Sequence, residues 1–351
     1  MSTVEQLSEE KKKPFNVKLI KKGIFYFLTI SIITMIGIFL YTNTGNTIEV
    51  WKDIEVKYIV IAAFIMFLDL LIGGWRNHIF AREFNPDISQ WVSFRANLGN
   101  IFMGSVTPSQ SGGGLAQLYV YTKNGIRLGD AVTISFINWI STITFFPISG
   151  MLAYQIISDK VPTGFITYLA QFGFSIFTTL FTIVMIALFF PKVLEWLITK
   201  VATILGNISD KWKSKIENAG TKAKSTLIEY RQNCTKLLSS KPQLMLYSFL
   251  ITVTLYFNKY ILGYVIVLAL GVDADFWTII AIQALVYLLL YFAPSPGGSG
   301  IAELSLAGLM SGILATDYIA SFTVMQRGFL VFIPAILGSV VILRLMKKDA
   351  S

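Results

Sequence analysis

Pro108-Ser-Gln-Ser-Gly-Gly-Gly-Leu-Ala-Gln117 and Pro294-Ser-Pro-Gly-Gly-Ser-Gly-Ile-Ala-Glu303 are two versions of one motif, set 186 residues apart. Five of the ten positions are identical, and Leu/Ile and Gln/Glu are close substitutions. The same offset carries the apolar stretch 58–80 onto 244–266 and 130–157 onto 316–343, so the register holds across three elements. Each copy interrupts a hydrophobic region. Pro108, Pro294 and Pro296 lack the N–H that a helix interior needs and clash with the preceding turn. Gly112, Gly113 and Gly114, and Gly297, Gly298 and Gly300, permit unusual dihedrals and let backbone amides approach a ligand. A helical stretch follows each break, so its free N–H groups and positive dipole end sit at the tip, an arrangement suited to phosphate. The bland alternative is that these glycines only allow close helix packing.

The surroundings decide the solvent. The chain has 351 residues, 54% hydrophobic and 14% charged, with mean hydropathy +0.64. Soluble domains carry roughly 25% charged residues, so this is the composition of an all-α polytopic membrane protein. A spanning helix needs about 20 mostly apolar residues. Eight segments qualify: 24–41, 58–80, 88–106, 130–157, 164–190, 243–270, 276–293 and 318–344. The third is interrupted by Arg95, Asn97 and Asn100. Trp51, Trp75, Trp91, Trp196 and Trp277 fall near segment ends, where an aromatic belt belongs.

Basic residues set the orientation. Six lysines between Lys11 and Lys22 precede the first span, Lys347 and Lys348 follow the last, and the stretch 191–242 carries ten basic against four acidic residues. All three are expected in the cytoplasm, in a cell (inner) membrane. Eight complete crossings would put 191–242 outside. Placing it inside requires 88–128 to enter and leave on the cytoplasmic face and 276–317 on the outer face. The fold expected is therefore six full spans and two re-entrant hairpins in an inverted repeat, a plan common among transporters. Eight plain spans with a mis-sorted basic loop is the alternative. The domains expected are a basic N-terminus (1–23), one membrane domain (24–346, repeats 24–158 and 164–346, loop 191–242) and a tail (347–351). Ile204, Ile208, Trp212 and Ile216 space a helix in that loop, suited to an anionic lipid surface or to a solvated elbow.

Ionisable groups at membrane depth are costly, and each is a functional candidate. Asp69 and Arg327 fall near mid-span, Glu303 just past the second break, Arg95 about 10 Å into its segment, and Lys259 toward the outer side of its own. With Pro108, Ser109, Gln110, Gly112, Gly113, Gly114 and Gln117 from the first break and Pro296, Gly297, Gly298, Ser299 and Gly300 from the second, these form the candidate substrate-binding set. Structural ion pairs, Glu303 with Arg327 or Asp69 with a basic partner, are the alternative. Asn138, Asn258, Gln283 and Gln326 extend a polar cavity or bond between helices. The single histidine, His78, stands beside Arg76 and Asn77 at a span end and reads as interfacial. No metal site, cofactor, ATP motif or nucleic-acid partner is expected.

The paired breaks and Arg327 resemble the flippase-like family that includes the transmembrane region of lysylphosphatidylglycerol synthase, the multiple peptide resistance factor. The resemblance runs from about 24 to 346. Pro296-Gly-Gly-Ser-Gly300 with Glu303 is similar to the family's second motif, while Gln110 and Gln117 replace charged residues of its Pro-Gly-Arg-x-Gly-Glu first motif. The soluble aminoacyltransferase domain of the bifunctional synthases has no counterpart among these 351 residues. The resemblance implies lipid translocation and does not establish a substrate. The helix starts at the two breaks, with Arg327, point to an anionic phosphate headgroup, and no enzymatic activity is expected. A lysyltransferase label would be inherited from bifunctional members. Two other readings stand: a membrane subunit assisting a lipid-modifying enzyme, and an intramembrane serine hydrolase in which Gly297-Gly-Ser-Gly300 supplies the nucleophile Ser299, which would need a general base within reach.

Overall fold

Proline and glycine divide the chain into helices where the sequence predicts. The computed structural model describes residues 17–41, 50–157, 241–291 and 293–348, with a few positions between 173 and 200. Most of the segment 164–190, and nearly all of the basic loop with Cys234, lie outside the described residues. The elements are α1 (Val17–Tyr41), α2 (Val56–Phe84), α3 (Gln90–Ser105), α4 (Ser111–Lys123), α5 (Leu128–Ile157), α6 (Gln243–Ala269), α7 (Phe276–Leu290), α8 (Ile301–Met310), α9 (Thr316–Arg327) and α10 (Ile333–Lys348), the last two joined by a π turn over Gly328–Phe332. Among the described residues, five stretches are long and apolar enough to cross a bilayer: Ile20–Leu40, Val56–Phe84, Leu128–Ile157, Gln243–Ala269 and Thr316–Lys347. The protein is an all-helical membrane protein.

The helices next to the breaks are short. α3 has 16 residues and α7 has 15. At 1.5 Å per residue neither exceeds about 24 Å, short of the roughly 30 Å hydrocarbon core. Both start by the same device. Ser89 accepts from Trp91 N at 3.2 Å, and Asp275 accepts from Thr278 N at 2.9 Å. Such caps satisfy donors that have no partner inside the helix. Ser89 and Asp275 are 186 residues apart, as are Trp91 and Trp277, which are 60% and 55% exposed. Moved by the same offset, α2 would cover 242–270, against 243–269 for α6. The second half thus repeats the helix order of the first.

The two breaks meet. Pro108 and Pro296 form an isolated antiparallel bridge, so equivalent segments run in opposite directions where they touch. The second break turns through Gly297 (φ 58°), Gly298 (φ 69°) and Gly300 (φ 86°), a left-handed region costly to residues with a Cβ. The first makes its turn at Ser109 (φ 50°) and Gln110 (φ 54°), so strain is held there by side-chain-bearing residues.

Around the breaks, α2, α5, α6, α7, α8 and α9 enclose one apolar core, and α3, α4 and the ends of α5 and α10 another. The α3–α10 crossing is very close: a Cβ on Gly338 would lie 2.2 Å from the Leu98 carbonyl oxygen.

Candidate functional site

Polar residues inside a helical membrane protein must find partners within it. Six of them do so here through one chain of amides and hydroxyls. Asn100 donates to Gln117 (3.1 Å). Gln117 and Asn138 both donate to Asn77 Oδ1, at 3.2 and 2.7 Å. Ser248 donates to Asn138 Oδ1 at 3.3 Å, and Ser141 to Ser248 at 2.8 Å. Five helices, α2 to α6, are tied together by this chain.

Beside it opens a chamber of about 780 Å³. Its walls include Arg76 on α2, Asn100 on α3, Ser109 and Gln110 at the first break, Gly114 and Gln117 on α4, and Asn138 and Thr142 on α5. A second cavity of about 180 Å³ lies toward the other break, lined by Lys259, Gly297, Gln326 and Arg327. Asn100, Gln110, Tyr256 and Tyr291 belong to both walls. The strained Gln110 and the tyrosine pair therefore stand between two adjoining polar spaces. Phe146 packs between the tyrosines, with ring centroids 4.8 Å from Tyr256 and 5.2 Å from Tyr291.

The acidic residues make ion pairs. Glu303 accepts from Arg327 Nε at 3.0 Å, and their side chains are 0% and 3% exposed. Glu303 also accepts from Gly300 N at 2.7 Å and Ser31 at 3.3 Å, while Arg327 Nη2 donates to Gly297 O at 3.0 Å. Lys259 of α6 donates to Asp69 of α2 at 2.5 Å. Neither Asp69 nor Glu303 lines a chamber, whereas their basic partners do. Arg95 lines neither cavity, and its Nε is buried without a partner.

The tips place their amides differently from the open cradle expected. Gly112 N donates to Thr107 Oγ1 at 2.8 Å, and Ser111 N and Gly113 N to Pro108 O and Gln110 O. In the second break Gly298 N and Ser299 N donate to Ser295 O and Pro296 O. Internal acceptors take these donors because they are held within reach in the same turn. Beside the backbone of Gly114 and Gly297, the cavities are faced here by the side chains of Ser109, Gln110, Lys259 and Arg327. Ser299 is 2% exposed and faces α1, its hydroxyl 2.7 Å from that of Ser31. His78 meets Ser93 on α3, at 3.4 Å, and not Ser299.

Sequence reasoning missed Arg76. It set the end of the second span at residue 80, which put Arg76 at an interface. The helix runs on to Phe84, so Arg76 lies two turns inside. The tyrosines of α6 and α7 gave no signal, because at helical spacing they read like any apolar residue.

Residues 26–338 match the family model described as the lysylphosphatidylglycerol synthase transmembrane region. The chain is 26% identical over 294 residues to a UPF0104 membrane protein of Archaeoglobus fulgidus, covering 83% of this chain and 87% of that one. It is 23% identical over 336 residues to a UPF0104 membrane protein of Pyrococcus horikoshii, covering 91% of this chain and 96% of the relative.

Proposed function

The chain belongs to the lysylphosphatidylglycerol synthase transmembrane-region family, and from that premise we propose that this multi-pass membrane protein moves an amphiphile with an anionic phosphate headgroup between leaflets. The observation that carries the reading is the pair of adjoining cavities, with Arg76, Lys259 and Arg327 on their walls and both breaks beside them. A phosphate crossing bare hydrocarbon loses its hydration and meets no partner. Within these walls it exchanges water for amides, hydroxyls and guanidinium groups, while the acyl chains stay in lipid.

The topology proposed with it has both termini and the 191–242 loop in the cytoplasm, the loop resting on anionic lipid, and the breaks as tips of re-entrant hairpins. Two observations support an inverted repeat: the equal helix order at an offset of 186 and the antiparallel contact between equivalent segments. Cys234, the only thiol, supplies a probe. A membrane-impermeant maleimide is expected to label it in inverted vesicles and to leave it unlabelled in intact spheroplasts. Labelling of intact spheroplasts would refute this orientation.

Transport itself is tested in proteoliposomes carrying fluorescent phosphatidylglycerol, with dithionite bleaching of the outer leaflet. The protein should make the inner-leaflet pool accessible, above the rate in protein-free vesicles. Gly114→Trp is the variant to compare. A Cβ at Gly114 meets nothing within 4 Å, so the indole has room to enter the larger cavity without disturbing the backbone. Wild-type thermal stability with translocation near background is expected. Unchanged translocation would show that lipid takes another route.

Ser299→Ala serves in the same assay. The hydroxyl binds Ser31 rather than a general base, so its loss should cost about 1 kcal/mol of stability and leave translocation largely intact. Inactivity of this variant, with fluorophosphonate labelling of the wild type, would instead assign Ser299 to hydrolysis.

A further inference from the structure

We infer that Arg76 holds the phosphate in the larger cavity, and that this cavity selects a hydroxylated, net anionic headgroup over an aminoacylated or other cationic one. The inference rests on the transport reading and specifies its substrate.

The interior cations that line the cavities differ in one respect. Lys259 is neutralised by Asp69 and Arg327 by Glu303. Arg76 has no carboxylate partner among the described residues. Its Nη1 donates to two neutral hydroxyls, Thr142 at 3.3 Å and Thr252 at 3.1 Å, and its Nε is buried with no acceptor at all. A guanidinium held this way keeps part of its desolvation cost, because Asp69, the carboxylate whose field reaches it, is paired with Lys259. A phosphate entering the cavity relieves that cost. Arg suits the role because its planar fork offers parallel donors to two phosphate oxygens. The two threonines fix it in place without cancelling its charge.

The rest of the wall defines what accompanies the phosphate. Around Arg76 stand the amides of Asn100, Gln110, Gln117 and Asn138 and the hydroxyls of Ser109 and Ser111. Amides and hydroxyls both donate to and accept from an alcohol. No Asp or Glu lines this cavity among the described residues. An ammonium group would therefore meet no counter-charge and the field of Arg76 besides. A cavity of about 780 Å³ is within the usual range for small-molecule sites, enough for a phosphate with a glycerol or sugar unit. The chemistry is that of a phosphate ester of a polyol, carried on a lipid.

The test measures the thermal stability of the purified full-length protein against titrated ligand, since a ligand that binds only the folded state raises stability as its concentration passes its Kd. Phosphatidylglycerol should stabilise the wild type, and phosphatidylcholine and lysylphosphatidylglycerol should do so at least about tenfold less effectively, the ratio expected for one uncompensated charge contact. Arg76→Gln should weaken the phosphatidylglycerol effect by a similar factor. Without lipid, that variant should be as stable as the wild type or more so, which a merely structural arginine would not allow. Arg76→Lys, which keeps the charge and loses the fork, should fall between, and it carries the test if Arg76→Gln does not fold.

Equal responses of wild type and both variants would overturn the role of Arg76. A cationic lipid matching phosphatidylglycerol would overturn the selectivity. Soluble glycerol 3-phosphate, acting as strongly as the lipid and depending on Arg76, would place a free phosphate ester in the cavity and overturn the lipid assignment. Translocation in proteoliposomes that persists with an insensitive Arg76 would leave the transport reading standing alone. Absence of both lipid binding and translocation would remove the two together.

Discussion

Arg327→Ala is expected to destabilise the protein by about 3–5 kcal/mol, because it leaves a buried carboxylate without its counter-ion. Glu303 is fully enclosed and engaged on every side: Arg327 Nε at 3.0 Å, Gly300 N at 2.7 Å and Ser31 at 3.3 Å. Removing the guanidinium also frees the Gly297 carbonyl and loosens the turn that the glycines make. Arg327→Lys keeps the charge but cannot reach both Glu303 and Gly297 O as the planar group does, so a smaller loss is expected. The double variant Glu303→Gln with Arg327→Gln removes both charges together. A Gln at position 303 still accepts from Gly300 N, as Gln does in a capping box, so most of the stability should return. Translocation should stay impaired, since Arg327 also lines the smaller cavity. Thermal unfolding and lipid translocation on the same preparation decide the matter. Transport returning with stability would make the pair purely structural and end its role in headgroup binding.

Gly338→Leu should be nearly as severe for a different reason. A Cβ there would stand 2.2 Å from Leu98 O and 2.8 Å from Phe102 Cβ, and neither neighbour is the end of a flexible side chain. α10 must therefore move off α3, the helix that carries Asn100 into both cavities. Overpacking of this kind costs about 1–3 kcal/mol, and a loss at the upper end with poor recovery of folded protein is expected. Gly308→Ala provides the control. Nothing lies within 4 Å of a Cβ at that site, and Ala is favoured over Gly in a helix by roughly 0.5–1 kcal/mol. Equal melting temperatures for the two variants would contradict this account of the crossing.

The membrane class and the position of each break were legible in the sequence because both rest on strong local rules: apolar length, and proline with glycine inside it. The offset of 186 was legible too, and the caps Ser89 and Asp275 fall on the same offset outside the motifs themselves. The ion pairs Glu303–Arg327 and Asp69–Lys259 are among the alternatives that the intramembrane charges allowed. Two things were not legible. Hydropathy marks where residues stop being apolar and not where a helix ends, so Arg76 was placed at the end of a span whose helix continues to Phe84. Glycine-rich tips show that amides are available for an anion, but not that Thr107 and the chain's own carbonyls lie nearer than any ligand.

The π turn at Gly328–Phe332 changes how the two halves should be aligned. A π turn holds one residue more than the α-helical path it replaces. The breaks stand 186 residues apart, measured from Pro108 to Pro294, yet Pro147 inside α5 and Pro334 at the start of α10 are 187 apart. The surplus is one residue, and the π turn lies immediately before the second of these prolines. An ungapped comparison of the halves is therefore in phase up to Arg327 and one position out of phase beyond it. Each residue turns an α-helix by about 100°, so an equivalence drawn across that point without the gap assigns side chains to the wrong face of α10.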